Sequence, residues 1–171
     1  MQPNIRIKRF LAVSGLGVAL ALTATAQSAT TTVTEGPGSY SRDTTVTGVN
    51  GKTATYQNNA SWGGGTYTDN QSVTGFNGKT ATSSTTASHT PGNTMRDTTV
   101  TGFNGKTSTY QNDRSWGNGA MTDTRSYTGV NGGTRTDTVS RSGGVTTNTF
   151  TGKNGNTRTV SHATGYRRYR R

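Results

Sequence analysis

The sequence predicts an all-β protein, an antiparallel up-and-down meander of about ten strands built from 27-residue hairpin repeats. Three observations predict it. The glycines Gly48, Gly75, Gly102 and Gly129 each stand 27 residues apart, and Gly152 follows after 23. Each lies in a T-G-x-N-G segment, and Asn-Gly between strand-like runs is the strongest short-range hairpin signal. Beyond residue 26 the chain has 36 threonines but no leucine and no isoleucine. The residues left to pack are Val, Tyr, Phe and Trp, which together with Thr are strand formers.

Residues 1–26 form a separate element. Arg6, Lys8 and Arg9 precede an apolar run from Phe10 to Leu22, and Ala24-Thr25-Ala26 supplies small residues for cleavage. A run of 13 residues is short for a membrane span of ~20, so the segment reads as a cleavable signal peptide. The expected location is the periplasm, the cell surface or the medium, with no transmembrane segment after cleavage. There is no cysteine, hence no disulfide and no thiolate chemistry.

Residues 27–39 read as a flexible lead-in, and residues 40–165 as the repeat domain. Only 30 of the 145 residues from Gln27 onward are apolar, too few for a deep core. A thin sheet held by its backbone ladder is the ordered solution. A longer echo overlies the 27-residue period. Arg-Asp-Thr-Thr-Val-Thr-Gly at Arg42 returns at Arg96, 54 residues later, and Trp62 returns as Trp116.

Each unit carries two turn signals. The first is Asn-Gly, at Asn50-Gly51, Asn77-Gly78, Asn104-Gly105, Asn131-Gly132 and Asn154-Gly155. The second falls half a period later, at Gly63-Gly64-Gly65, Pro91-Gly92, Asn118-Gly119 and Gly143-Gly144. A two-residue type I′ turn at Asn50-Gly51 predicts Thr45 opposite Tyr56, Thr47 opposite Ala54 and Val46 opposite Thr55. In that register each face receives one apolar row in a field of threonine, Val46 and its equivalents on one side, Val49 and its equivalents on the other. The alternative architecture is a stacked cross-β solenoid, which would pile Lys52, Lys79 and Lys106 at ~4.8 Å; the meander sets them two strands apart.

Residues 166–171 are a basic tail. Beyond residue 26 there are 15 basic and 7 acidic side chains, a net +8, and four of the positives lie in the last five residues. Arg167, Arg168, Tyr169, Arg170 and Arg171 are therefore candidates for binding an anionic polymer such as polysaccharide, lipopolysaccharide or extracellular DNA. Export argues against a genomic nucleic-acid role. Tyr56, Trp62, Tyr110 and Trp116 are candidate stacking aromatics, with cross-strand packing as the alternative use.

Catalytic groupings are not apparent. His89 and His162 stand in unrelated places, and the aspartates are scattered singly. No metal-ligand spacing, phosphate-binding loop or Ser-His-Asp grouping is present, so neither cofactor nor enzyme activity is expected.

With TGVNGKT at Thr47, TGFNGKT at Thr74 and Thr101, RDTTVTG at Arg42 and Arg96, and the export signal, the chain resembles small secreted bacterial proteins built of TG-x-NG repeats. Their members often carry Pro at x, where this chain has Val, Phe, Phe, Val and Lys. The likeness covers residues 42–158 and implies export and a repetitive β architecture, with no activity attached. Curli-type fibre subunits are similar in composition alone. The expected role is an exported, non-enzymatic structural or surface-matrix protein that self-associates through its sheet edges. A binding module for anionic polymers is the alternative.

Overall fold

The structure, a computed structural model, describes residues 26–163. The signal-peptide assignment, Ala26 apart, and the candidate tail from Arg167 to Arg171 lie outside the described residues. Eleven strands form one open antiparallel sheet in chain order. They are β1 Ala26–Gly36, β2 Ser39–Gly48, β3 Thr53–Gly63, β4 Thr66–Thr74, β5 Thr80–Thr90 and β6 Asn93–Thr101. Then follow β7 Thr107–Gly117, β8 Ala120–Thr128, β9 Thr134–Ser142, β10 Val145–Thr151 and β11 Thr157–Ala163. Only consecutive strands pair, in a single layer, and the lysines of successive T-G-x-N-G turns lie two strands apart.

The first strand corrects an expectation. Residues 27–39 are not a flexible lead-in. Ala26 to Gly36 pairs with β2 along its length, with one irregularity between Ala26 and Ser28. The reason is local: Thr30 to Thr34 is a run of strand formers, and Pro37-Gly38 is a turn that no 27-residue repeat announces.

The turn chemistry corrects another, and with it the register. Asn50 does not adopt positive φ; Gly51 does, at 73°. Gly51 N–H donates to Gly48 C=O at 2.9 Å, and Gly48 N–H donates to Lys52 C=O at 2.8 Å. This is a three-residue loop, a type I turn closed by a left-handed glycine, in place of a two-residue type I′ turn. Asn50 Oδ1 folds back to accept the Lys52 N–H at 3.1 Å, a bond repeated by Asn77 with Lys79 and Asn104 with Lys106. That fold-back explains the glycine before the turn. A Cβ on Gly48, Gly75 or Gly102 would stand 3.2 or 3.3 Å from the asparagine oxygen. The repeated motif is thus one device, in which the second glycine makes the bend and the first leaves room for the carboxamide. True type I′ turns occur at the other end of the sheet, where Asn118 (49°) with Gly119 (73°) and Gly143 (56°) with Gly144 (76°) both take positive φ.

One extra loop residue moves every pair. Val46 faces Ala54, Thr44 faces Tyr56, and Tyr56 faces Val73, which in turn faces Ala81. Opposed residues share a face, as do alternate residues of a strand, so a one-residue slip transfers a whole strand to the other side. The apolar rows therefore do not divide between the faces. Val46, Val73, Val100, Tyr127 and Phe150 all lie on one, while Val49, Phe76, Phe103 and Val130 sit in the loops, exposed.

The two faces differ in kind. One carries Thr, Ser, Asn, Gln and Asp almost without interruption, tied by hydroxyl pairs such as Thr74–Thr80 at 2.8 Å, Thr101–Thr107 at 2.9 Å and Thr128–Thr134 at 2.8 Å. We call it the hydroxyl face. The other holds every buried side chain among the described residues: Val46, Ala54, Val73 and Ala81, with Asp69, Ser83, Thr85, Asp123 and Thr146. It also holds all seven arginines of those residues, and we call it the arginine face.

Candidate functional site

Residues 40–93 and 94–147 are the same unit written twice, offset by 54. Asp69 and Asp123 hold the same place in the two units, mid-strand on the arginine face, and the two are held differently. Asp69 is buried; its carboxylate accepts from Asn58 Nδ2 at 3.2 Å and from Gln71 Nε2 at 3.0 Å. Asp123, also buried, accepts from Asn112 Nδ2 at 2.6 Å and from Arg125 at 2.9 Å. A buried carboxylate needs such donors, because desolvation otherwise opposes its charge. The Asp123 carboxylate raises the Arg125 guanidinium pKa above its ordinary value, through the hydrogen bond first and the charge second. On the same face the Tyr67 phenol is raised above its ordinary value by burial first, and by the charge and hydrogen bonding of Asp69 next.

The four candidate aromatics all lie on the arginine face, but they do not converge. Tyr56 is opposed by Val73 and Thr44, with the Arg42 guanidinium 5.9 Å from its ring centroid. Trp62 is opposed by Tyr67 and is 48% exposed. Tyr110 is opposed by Tyr127 and Thr98. Trp116 is 41% exposed and lies against His89 at 6.1 Å between centroids, with the Arg114 guanidinium at 6.0 Å. Six residues of extended chain separate the members on each strand, about 20 Å, and four strand spacings separate the two strands, about 19 Å. They mark corners of a broad surface and enclose nothing.

Two shallow depressions are present. One, about 220 Å³, is lined by Arg135, Phe150, Gly152, Lys153, Asn154 and Asn156. The other, about 240 Å³, is lined mainly by Gln57, Asn59, Asn70, Ser72, Thr82 and Ser84. Both fall short of the roughly 300 Å³ at which small-molecule pockets begin. Among the described residues no group of three or more His, Asp or Glu side chains is placed to hold a metal ion.

The feature that sequence reasoning missed is the one-sidedness of charge. Arg42, Arg96, Arg114, Arg125, Arg135, Arg141 and Arg158 share one face, while Asp43, Asp97 and Asp113 lie on the other, which has no lysine or arginine among the described residues. Parity along each strand carries this signal, but it is readable only in the correct register. No protein-family model, no curated protein and no solved structure matches the chain.

Proposed function

We propose that the chain is an exported, non-enzymatic structural protein that associates with copies of itself through its sheet edges. The observation that carries this reading is an open single-layer sheet whose two edges, β1 and β11, have no further strand beside them among the described residues. An edge strand presents a row of free N–H and C=O groups, a template for another chain. The usual protections are sparse on β1. It has 11 residues, one charge (Glu35) and no proline. A single layer also leaves both faces without the packing partner that most domains possess.

Strand parity constrains the joint. With an odd number of antiparallel strands, β1 and β11 run in the same direction. Head-to-tail joining would create a parallel pair, whereas a two-fold joint of β1 with β1 is antiparallel, the slightly more stable form. The two-fold β1 joint is the contact we favour. It can bring Thr30 of one copy beside Thr32 of the next, on the hydroxyl face.

Sedimentation velocity of the purified chain over a hundredfold concentration range tests it. Association is expected to grow with concentration and to be lost when Thr30 and Thr32 are both replaced by Lys. A wild-type chain that stays monomeric throughout, with full strand signal by circular dichroism, would end this reading.

A further inference from the structure

The two 54-residue units share their strand register up to the last turn, and their gains of arginine are confined to the arginine face. Residues of the first unit recur in the second as follows: Ala60 becomes Arg114, Gln71 becomes Arg125, Ala81 becomes Arg135 and Ala87 becomes Arg141. All four changes fall on the same face, and all four introduce a guanidinium. The first unit has Arg42 against Asp69 there; the second has five arginines, Arg96 included, against Asp123 and Asp137. Scatter over a solvated surface would have placed some of these charges on the other side.

These arginines have few partners of their own. Arg125 with Asp123 is the single ion pair among the described residues. Among the described residues Arg114 reaches only the Met121 sulfur, at 3.3 Å, and the Trp116 ring. Arg135, Arg141 and Arg158 are exposed, and Arg96 Nε is a buried donor with no acceptor among the described residues. Aromatic rings lie among them: Trp116, Tyr127 and Phe150 are 41%, 49% and 49% exposed. Tyr127 faces Arg135, and Phe150 faces Arg158 and Asp137.

We propose that the arginine face from β7 to β11 binds an anionic polysaccharide. A guanidinium grips a carboxylate or sulfate through two parallel N–H bonds, and aromatic rings offer apolar faces on which sugar rings stack. The site spans five strands, about 19 Å, and has no enclosing walls, which suits a chain-like ligand better than a small one. Its charge density decides between polymers. Duplex DNA carries one charge per ~1.7 Å and is met by dense, uninterrupted cations. Here two aspartates divide five arginines, a spacing matched to a polymer with at most one charge per sugar. The surface does not include β1 and works whether or not the two-fold β1 joint forms.

Affinity electrophoresis and calorimetry with polygalacturonate test this, beside fully methyl-esterified polygalacturonate and duplex DNA. Two fourfold variants remove equal charge. One replaces Arg114, Arg135, Arg141 and Arg158 by Gln; the other replaces Lys52, Lys79, Lys106 and Lys153, on the turn rim, by Gln. The arginine variant is expected to bind polygalacturonate at least about tenfold more weakly with a flatter salt dependence, and the lysine variant to stay within about threefold of wild type. A double variant, Arg135→Ala with Arg141→Ala, restores the alanines of the first unit, so it retains the fold and reads the same loss in smaller degree. Equal loss in both fourfold variants, no binding of polygalacturonate by the wild type at low salt, or duplex DNA binding as tightly as polygalacturonate would each overturn the proposal.

Discussion

The two halves of the repeat array, residues 40–93 and 94–147, have one register and two characters. Thr45 pairs with Thr55 in the first and Thr99 with Thr109 in the second, and the ladders match at this offset as far as the last turn, which comes two residues earlier in the second half. On the hydroxyl face much of the chemistry returns: Thr53, Thr55, Gln57 and Ser61 recur as Thr107, Thr109, Gln111 and Ser115, while Asn59 becomes Asp113 and Ser41 becomes Met95. On the arginine face they diverge. All four buried apolar side chains, Val46, Ala54, Val73 and Ala81, belong to the first half. Their counterparts are Val100, Ser108, Tyr127 and Arg135, none of them buried. The difference teaches that this sheet does not take its geometry from a core. Turns and hydroxyl rows set the register, which frees one face to vary without loss of fold.

The largest expected contrast breaks the apparent equivalence of the two halves at their turns. Gly65 and Gly119 are counterparts, with φ of 79° and 73°. A Cβ on Gly65 would meet the His89 carbonyl oxygen at 2.5 Å, because His89 N–H donates to Gly65 C=O at 2.7 Å; a Cβ on Gly119 meets nothing within 4 Å. Gly65→Ala is expected to cost about 3 kcal/mol, strain plus a backbone clash, and Gly119→Ala about 1 kcal/mol, strain alone. Urea unfolding of both variants reads the difference, and equal costs would contradict the third-strand contact.

Next comes the packing. Val73→Ala removes a side chain only 2% exposed and is expected to cost about 2 kcal/mol, whereas Tyr127→Ala, at the matching place, costs under about 1 kcal/mol. Chemical denaturation again decides, and a larger loss at Tyr127 would relocate the packed region to the second half.

A smaller effect concerns Tyr67, whose counterpart is Met121. Its phenol is raised above the ordinary value of about 10, first by burial. The folded state therefore holds the proton more tightly than the unfolded chain. The stability this provides is complete below pH ~10 and is lost as pH rises through the folded value. Tyr67→Phe is expected to flatten the alkaline limb of a thermal-melting profile; an unchanged limb would count against it.

The smallest effect is expected at the ion pair. Arg125→Gln rebuilds the arrangement of Asp69, Asn58 and Gln71 around Asp123. Because the Arg125 side chain is 54% exposed, the change is expected to stay within about 0.5 kcal/mol. A loss of more than about 1 kcal/mol in thermal denaturation would show the pair to be structural.

Much of this was legible in the residues. Repeat spacing and alternating turn signals placed ten of the eleven strands and their meander order, and the aromatics were found on the sheet. The first strand was hidden because its Pro37-Gly38 turn stands outside the repeat, and the register and the one-sided charge share another cause. The same dipeptide, Asn-Gly, bends in two ways: Asn118 takes positive φ, and Asn50 does not. At Asn50 the carboxamide caps the Lys52 N–H in the space left by Gly48. Composition shows that a turn occurs there but not which form it takes.

By itself, then, the order of amino acids determined that this is a threonine-rich chain of repeated hairpins, because turn formers and strand formers act locally and recur. Only the tertiary structure decided which side chains stand together. Facing depends on the register of each strand pair, and a single loop residue separates a sheet with apolar rows on both sides from one with hydroxyls on one side and arginines on the other.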